Sequence, residues 1–157
     1  MQGETFRERF DRSHLAVWVA ASWHWAAGTS VKIPDVSQVG PDNGDLFIQP
    51  GHGRRWRRVE VKHLRHDWTG RRDFPFPKVL VCATHSWDRA EPKPVEYLIF
   101  NRVLTGAIRI SATTRQHWWR EEIHDRRRDE EGRQECYCVD PELCSFEDVP
   151  DDLVVKI

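Results

Sequence analysis

A pair of strand-like segments joined by a short turn constrains the fold of this chain more than any other feature. Residues 45–49 and 56–64 are predicted to be β-strands, and in the second segment Val59 and Val61 alternate with Glu60 and Lys62. The intervening residues 50–53, with the sequence Pro-Gly-His-Gly, favour a turn. A turn centred between residues 52 and 53 pairs the two strands as a hairpin and places Asp45 directly opposite Glu60.

The second strand of this hairpin has two chemically different faces. Successive side chains point to opposite faces, so Glu60 and Lys62 share one face, whereas Val59 and Val61 share the other. Directly opposed side chains have Cβ atoms about 4.5–5.5 Å apart, at which two carboxylates repel each other. The Asp45–Glu60 pair therefore favours a shared cation. Mg²⁺ suits the pair because this ion binds one or two carboxylates and retains water ligands.

The order of these residues resembles the PD-(D/E)xK nuclease superfamily, in which one strand begins with Asp and the next carries Glu-x-Lys. The resemblance covers residues 5 to about 64 and leaves the subfamily open. It implies an α/β restriction-endonuclease-like core, with a central mixed β-sheet flanked by helices. It also implies that Asp45 and Glu60 bind Mg²⁺ or Mn²⁺, and that Lys62 is the catalytic lysine.

Three further positions enter through the same resemblance. The Val61 backbone carbonyl would be an additional metal ligand, and Glu8 on the first helix would complete the acidic set. The Pro-Asp pair itself falls at residues 41–42, so Asp42 competes with Asp45 for the role of first carboxylate. Asp45 fits the start of the strand better.

The expected function is metal-dependent hydrolysis of phosphodiester bonds, with DNA favoured over RNA as the substrate. A chain of 157 residues leaves little room for a separate sequence-reading domain, so structure- or end-specific cleavage is expected. Small stand-alone nucleases of phages and bacteria are comparable in size and compactness. Two alternatives stay open. The first is a catalytically silent nuclease fold that binds nucleic acid or a protein partner, and the second is a zinc-stabilised interaction protein.

The zinc alternative depends on the cysteines. Cys136, Cys138 and Cys144, with His124 as a fourth ligand, have the donor atoms for a zinc site, but their spacing lacks the usual C-x2-C knuckle. No secretory signal is visible, which favours a reducing cytoplasm. Free buried thiols, with Cys82 as the fourth, are the simpler interpretation.

Length and composition are typical of a globular protein. The chain is long enough to bury a core, and 39% hydrophobic with 31% charged residues argues against extended disorder. No apolar stretch is long enough to span a membrane. We expect one domain over residues 1–157, a cytoplasmic location and no membrane partner. A homo-oligomer is compatible with the sequence.

Charge is distributed unevenly along the chain. Residues 52–72 contain eight Lys or Arg against two acids, whereas residues 129–157 contain ten acids against two basic residues. This distribution predicts a nucleic-acid-facing centre and a solvated acidic tail from about residue 129. The expected phosphate contacts flank the proposed site: Arg54, Arg55, Arg57 and Arg58. A solvated hairpin tip is the alternative.

The rest of the pattern predicts two helices around the sheet. Residues 5–27 carry an apolar stripe at three- and four-residue steps that includes Val17, Trp18 and Trp25. Further strands are expected over residues 30–33, 78–83, 95–102 and 107–112. A second helix is expected from Thr113 or Thr114 to about residue 128, flanking the sheet.

Overall fold

The computed structural model of the chain describes residues 6–34, 45–124 and 132–154, with side chains described from Ser13 to Leu153 in these ranges. The α-helices in this part of the chain are α1 Phe6–Ala26, α2 Thr84–Arg89 and α3 Asp151–Val154. The strands are β1 Ser30–Lys32, β2 Leu46–Gln49, β3 Arg57–His63, β4 Val79–Ala83, β5 Glu96–Phe100, β6 Gly106–Ser111, β7 Trp119–His124, β8 Arg133–Val139 and β9 Ser145–Asp148. Short 3-10 helices cover Arg71–Asp73, Ala112–His117 and Pro141–Leu143.

A six-stranded mixed sheet forms the centre of the fold. Its strand order is β1-β2-β3-β5-β6-β9, and the strands are antiparallel except for the parallel pair β3–β5. A parallel pair needs a crossover connection, and here the crossover carries β4 and α2. The predicted α/β fold class with a central mixed sheet is confirmed, as are the strands expected at β1, β4, β5 and β6.

Helix α1 covers one face of this sheet. Val59 and Val61 point towards it, in one core cluster with Leu98 and Phe100 of β5, so the predicted apolar face of β3 is confirmed. The predicted helix stripe is wrong in part, because Trp18 and Trp25 are 59% and 68% exposed. Small side chains cover the sheet instead, which lets the helix approach closely. They include the fully buried Ala16, Val19 and Ala20.

A second, three-stranded sheet of order β4-β8-β7 covers the opposite face. The predicted helix from Thr113 or Thr114 to residue 128 is wrong. Ala112–His117 is a 3-10 helix capped by the Ser111 side chain, and β7 then pairs with β8 along six residue pairs. The 3-10 turn brings Trp118 into the core. Tertiary pairing has overridden the helix propensity of this polar segment.

The acidic C-terminal segment is also part of the fold. Strand β8 is the central strand of the second sheet, and β9 extends the six-stranded sheet next to β6. The prediction of a solvated tail from residue 129 is therefore wrong for residues 133–148. The buried residues in this segment supply the reason, since Tyr137, Cys138 and Val139 belong to the core. Within the described residues, no helix is both long and apolar enough to cross a membrane. One domain over residues 1–157 stays a prediction.

Candidate active site

The β2–β3 hairpin brings the two predicted carboxylates together. The ladder pairs Leu46 with Val59 and Phe47 with Arg58, which is the register expected from the turn. Asp45 directly precedes Leu46, and Glu60 directly follows Val59, so the same register continues onto the two acids. The amide of Val61 donates a hydrogen bond of 2.9 Å to Asp45 Oδ2, which orients the Asp45 carboxylate from the neighbouring strand.

Asp45 and Glu60 form a coupled carboxyl pair. The pKa of the Glu60 carboxyl is raised to about 7. Burial is the largest cause, the adjacent negative charge of Asp45 is the second, and Arg58 opposes both. Burial and the Asp45 side chain therefore both favour a proton held on Glu60. Glu60 is protonated below about pH 7 and ionised above it.

Arg58 belongs to this pair and not to the exposed hairpin tip. Its side chain is buried, and its Nε donates to Glu60 Oε1 at 2.5 Å. Residues 58 and 60 share a face of β3, so the guanidinium lies against the carboxylate two positions along the strand. The phosphate contact of Arg58 stays a prediction, whereas the structure places its guanidinium against Glu60. Alternation along the strand, which places residues 58, 60 and 62 on one face, was the signal that could have shown this.

Lys62 lies on the same face of β3 and is half-buried. Burial raises the pKa of the Cys82 thiol, and the charges of Lys62 and Glu60 act on that thiol in opposite directions. The Lys62 ammonium forms no hydrogen bond or ion pair with any residue that the structure describes. Among these residues it therefore has no carboxylate partner, and it lies two positions from Glu60 on the same strand.

Tyr97 and Cys82 complete the wall of the site, and sequence reasoning did not place them there. Tyr97 pairs with Glu60 in the parallel β3–β5 ladder. Its hydroxyl donates to Cys82 Sγ at 3.4 Å, and burial raises the pKa of both groups. The sequence offered no signal, because both residues lie in apolar strands and meet only through the crossover.

The other predicted phosphate contacts lie apart from the carboxyl pair. Arg54, Arg55 and Arg57 are exposed at or near the hairpin turn. Gln49 Nε2 donates to the Arg54 carbonyl at 2.5 Å, which closes the turn. Two of the weaker candidates lie outside what the structure describes, namely Asp42 and the side chain of Glu8.

The donor set fits a hard divalent cation. Carboxylate oxygens are the preferred ligands of Mg²⁺ and Mn²⁺. A cation between Asp45 and Glu60 would replace the proton on Glu60 and would offset the repulsion between the two carboxylates. Among the described residues, no group of three or more His, Cys, Asp or Glu side chains is placed to hold a metal. The zinc site considered for Cys136, Cys138, Cys144 and His124 is therefore not formed, and these cysteines are buried and lie in no disulfide.

Comparisons with known proteins add one structural likeness. No protein-family model matches the sequence, and a comparison with curated proteins finds no match. Among solved structures, the chain is similar to Hjc, a Holliday junction resolvase of the archaeal hyperthermophile Archaeoglobus fulgidus. The two are 15% identical, the match covers 79% of this chain and 83% of that chain, and the TM-score is 0.43. At this level the likeness assigns no residue a role.

Proposed function

We propose that the chain is a divalent-metal-dependent nuclease that hydrolyses phosphodiester bonds in DNA. The observation that supports this most is the half-buried Asp45–Glu60 pair, with Lys62 on the same face. Two carboxylates brought together at the cost of repulsion, beside an ammonium that has no carboxylate partner among the described residues, are poorly explained by stability alone. The same arrangement would supply carboxylates that hold a metal and a cation for the charge that develops during phosphodiester hydrolysis.

Asp45, Glu60 and the Val61 carbonyl would hold the metal. When bound, a Mg²⁺ or Mn²⁺ ion supplies Lewis-acid stabilisation of the phosphate and makes water a better nucleophile. Two hydrogen bonds orient the carboxylates for this role. The Val61 amide donates to one oxygen of Asp45, and the Arg58 guanidinium donates to one oxygen of Glu60. Each carboxylate keeps a second oxygen for the ion.

Lys62 would act on the reacting phosphate. Its ammonium stabilises the negative charge that develops on the phosphoryl oxygens, and it orients the attacking water by hydrogen bonding. Arg58 would be a positioning residue, because its Nε donates to the Glu60 carboxylate. Tyr97 and Cys82 close the inner side of the site, and their burial keeps bulk water from that side.

The protein would bind the substrate through the phosphates of its sugar–phosphate backbone. Arg54, Arg55 and Arg57 form an exposed basic turn on the same hairpin, and such side chains bind phosphates regardless of sequence. Arg58 is not part of this exposed turn, because its side chain is buried against Glu60. Sequence-independent contacts suit cleavage at a structure or an end, and DNA stays favoured over RNA.

Cleavage by the purified protein tests the proposal. Labelled single-stranded, duplex and branched DNA would be incubated with Mg²⁺, Mn²⁺ or EDTA, beside the Lys62→Ala variant. We expect metal-dependent cleavage of at least one form, reduced roughly 100-fold or more in the variant. Equal cleavage by wild type and variant would point to a contaminant. No cleavage of any form, with metal bound at the carboxyl pair, would leave the second candidate.

A catalytically silent nucleic-acid-binding module is that second candidate. It is favoured by the finding that the described residues supply no third acidic or histidine ligand. Such a module would bind DNA equally well in Mg²⁺ and in EDTA. Metal-dependent product formation separates the two functions directly.

A further inference from the structure

An aromatic cluster lies directly beside the carboxyl pair. Tyr97, the ladder partner of Glu60, has its ring centroid 6.0 Å from Trp118 and 6.4 Å from Trp87. Trp87 and Trp118 are 5.1 Å apart, and Trp118 is 6.0 Å from Tyr137. The cluster is largely buried and joins α2, the residue that follows the 3-10 helix Ala112–His117, and strand β8 next to the site.

Two cations rest on this cluster. The Arg115 guanidinium carbon lies 4.2 Å from the Tyr137 ring centroid and 5.7 Å from that of Trp118. The Lys93 ammonium lies 5.6 Å from the Trp87 centroid. Both distances to the nearest ring are within the range of a cation–π interaction. Stacking fixes the position of each cation without neutralising its charge.

Neither cation has a carboxylate partner in the described part of the chain. Lys93 Nζ donates only to backbone carbonyls, those of Trp87 and Asp88. The Arg115 guanidinium has ring contacts but no hydrogen bond to a described residue. The neighbouring Arg120 differs, because it donates to the Tyr137 hydroxyl, which in turn donates to Asp88. Arg115 and Lys93 thus keep donors for an external anion.

The aromatic cluster connects Arg115 to the carboxyl pair. The Arg115 guanidinium carbon is 5.7 Å from the Trp118 ring centroid, the Trp118 ring is 6.0 Å from that of Tyr97, and Tyr97 is the ladder partner of Glu60. Arg115 therefore lies on the same side of the central sheet as the carboxyl pair.

We propose that Arg115 and Lys93 form a second phosphate-binding surface, which holds the nucleic-acid backbone on the α2 side of the carboxyl pair. This inference rests on the proposed function for the identity of the anion. The hairpin arginines Arg54 and Arg55 belong to a different element, so the two surfaces together would hold one backbone on both sides of the reacting phosphate. Pre-stacked cations lose little side-chain entropy on binding, which favours this use.

The salt dependence of DNA binding in EDTA tests the second surface, since cleavage is then suppressed. Affinity of a mixed-sequence duplex would be measured across a salt series for wild type, Arg115→Gln and Lys93→Gln. Each lost contact should reduce the slope of log affinity against log salt by about 0.9. Arg72→Gln is the matched control. Its 3-10 helix Arg71–Asp73 lies near β9, three strands from β3, since Arg71 lies over the Phe146 ring.

The expected result is a smaller slope for Arg115→Gln and Lys93→Gln, with Arg72→Gln unchanged and Arg115→Lys close to wild type. A wild-type slope in both Gln variants, or equal effects in all three, would overturn the proposal. If thermal melting shows that Arg115→Gln is unfolded, the salt slope of Lys93→Gln tests the proposal, because Lys93 is exposed and its replacement should leave the fold intact. Binding of an acidic protein segment with no DNA binding would also overturn it.

The outcome is separable from that of the nuclease proposal. Reduced slopes with no metal-dependent cleavage would leave the surface intact and reject the nuclease. Metal-dependent cleavage by the wild type, with wild-type salt slopes in Arg115→Gln and Lys93→Gln, would support the nuclease and reject the second phosphate-binding surface.

Discussion

Asp45 lies beside Glu60 across the β2–β3 hairpin, and the Val61 amide donates a hydrogen bond of 2.9 Å to Asp45 Oδ2. Two opposed acids therefore share a site in which one has a backbone donor and the other is largely buried. When both ionise, their repulsion destabilises the fold unless a cation lies between them. The charges of Asp45 and Glu60 therefore affect the stability of the fold, the pKa of Glu60 and the affinity for a metal ion, and substitutions at these two residues test all three.

Asp45→Asn and Asp45→Ala should have opposite effects on stability in EDTA. Asn keeps an oxygen for the Val61 amide and removes a repelling charge, so the variant should melt at the wild-type temperature or higher. Ala leaves that amide without its acceptor, which costs about 1–3 kcal/mol and lowers the melting temperature by several degrees. Thermal melts of the three proteins in EDTA check this. A clear fall in Asp45→Asn would indicate that Asp45 holds a cationic neighbour for structural reasons.

Mg²⁺ should stabilise the wild type and leave Asp45→Asn nearly unchanged. A ligand that binds only the folded state raises stability in proportion to its occupancy. The measurement is the shift in melting temperature across a Mg²⁺ series, with Ser145→Ala, distant on β9, as the control that should respond like wild type. An equal shift in Asp45→Asn would place the ion elsewhere.

The stability of the metal-free protein should fall as pH rises through about 7. The folded pKa of Glu60 is raised to about 7 from an ordinary 4.5, so the folded state binds the proton more tightly than the unfolded state does. The corresponding stability is present below pH 4.5 and is lost as pH passes 7. This pKa difference corresponds to about 3 kcal/mol. Denaturant melts of wild type and Glu60→Gln in EDTA, from pH 5 to pH 8, would show a slope in the first and less of one in the second.

Arg58→Met should raise the pKa of Glu60 further. The Arg58 guanidinium is the group that opposes burial and the Asp45 charge, and Met fills its apolar space without the charge. The midpoint of Glu60 titration, followed by carboxyl NMR in EDTA, should move to higher pH. Arg57→Met is the matched control, since Arg57 is exposed and lies on the other face of the strand. A midpoint that moves down or stays would contradict the assigned role of Arg58.

The hairpin arginines should contribute to DNA affinity without reading sequence. Replacing Arg54 and Arg55 by Gln should reduce the salt slope of binding by about 0.9 for each residue, equally on unrelated sequences. Fluorescence anisotropy over a salt series checks this. An unchanged slope would make this turn a solvated hairpin tip, the alternative that the sequence left open.

The carboxyl pair could be predicted from the sequence because its information is local. Fifteen residues separate Asp45 from Glu60, and the turn between them sets a register that the ladder reproduces. Alternation along β3 also separated Val59 and Val61 from Glu60 and Lys62. Arg58 obeys the same alternation, yet its position in a basic run suggested the surface.

The second sheet could not be predicted in the same way. Strands β4 and β8 are separated by some fifty residues, and β7 reads as a polar, capped helix until β8 pairs with it. The buried Trp118 and the exposed Trp18 show the same limit, because burial depends on which surface a neighbour covers. The position of Arg115 depends on this sheet, because its guanidinium lies over the Tyr137 ring of β8. The sequence alone could not predict this contact.

Binding of Mn²⁺ to wild type and to Glu60→Gln is the most direct test of the central claim, that Asp45 and Glu60 form a metal site. Isothermal titration at pH 8, where the pair is ionised, should show Mn²⁺ binding to wild type that is lost in Glu60→Gln and weakened at pH 6, where a proton competes. Lys62→Ala should still bind the ion. Equal Mn²⁺ affinity in wild type and Glu60→Gln, or no binding to wild type at pH 8, would contradict the account.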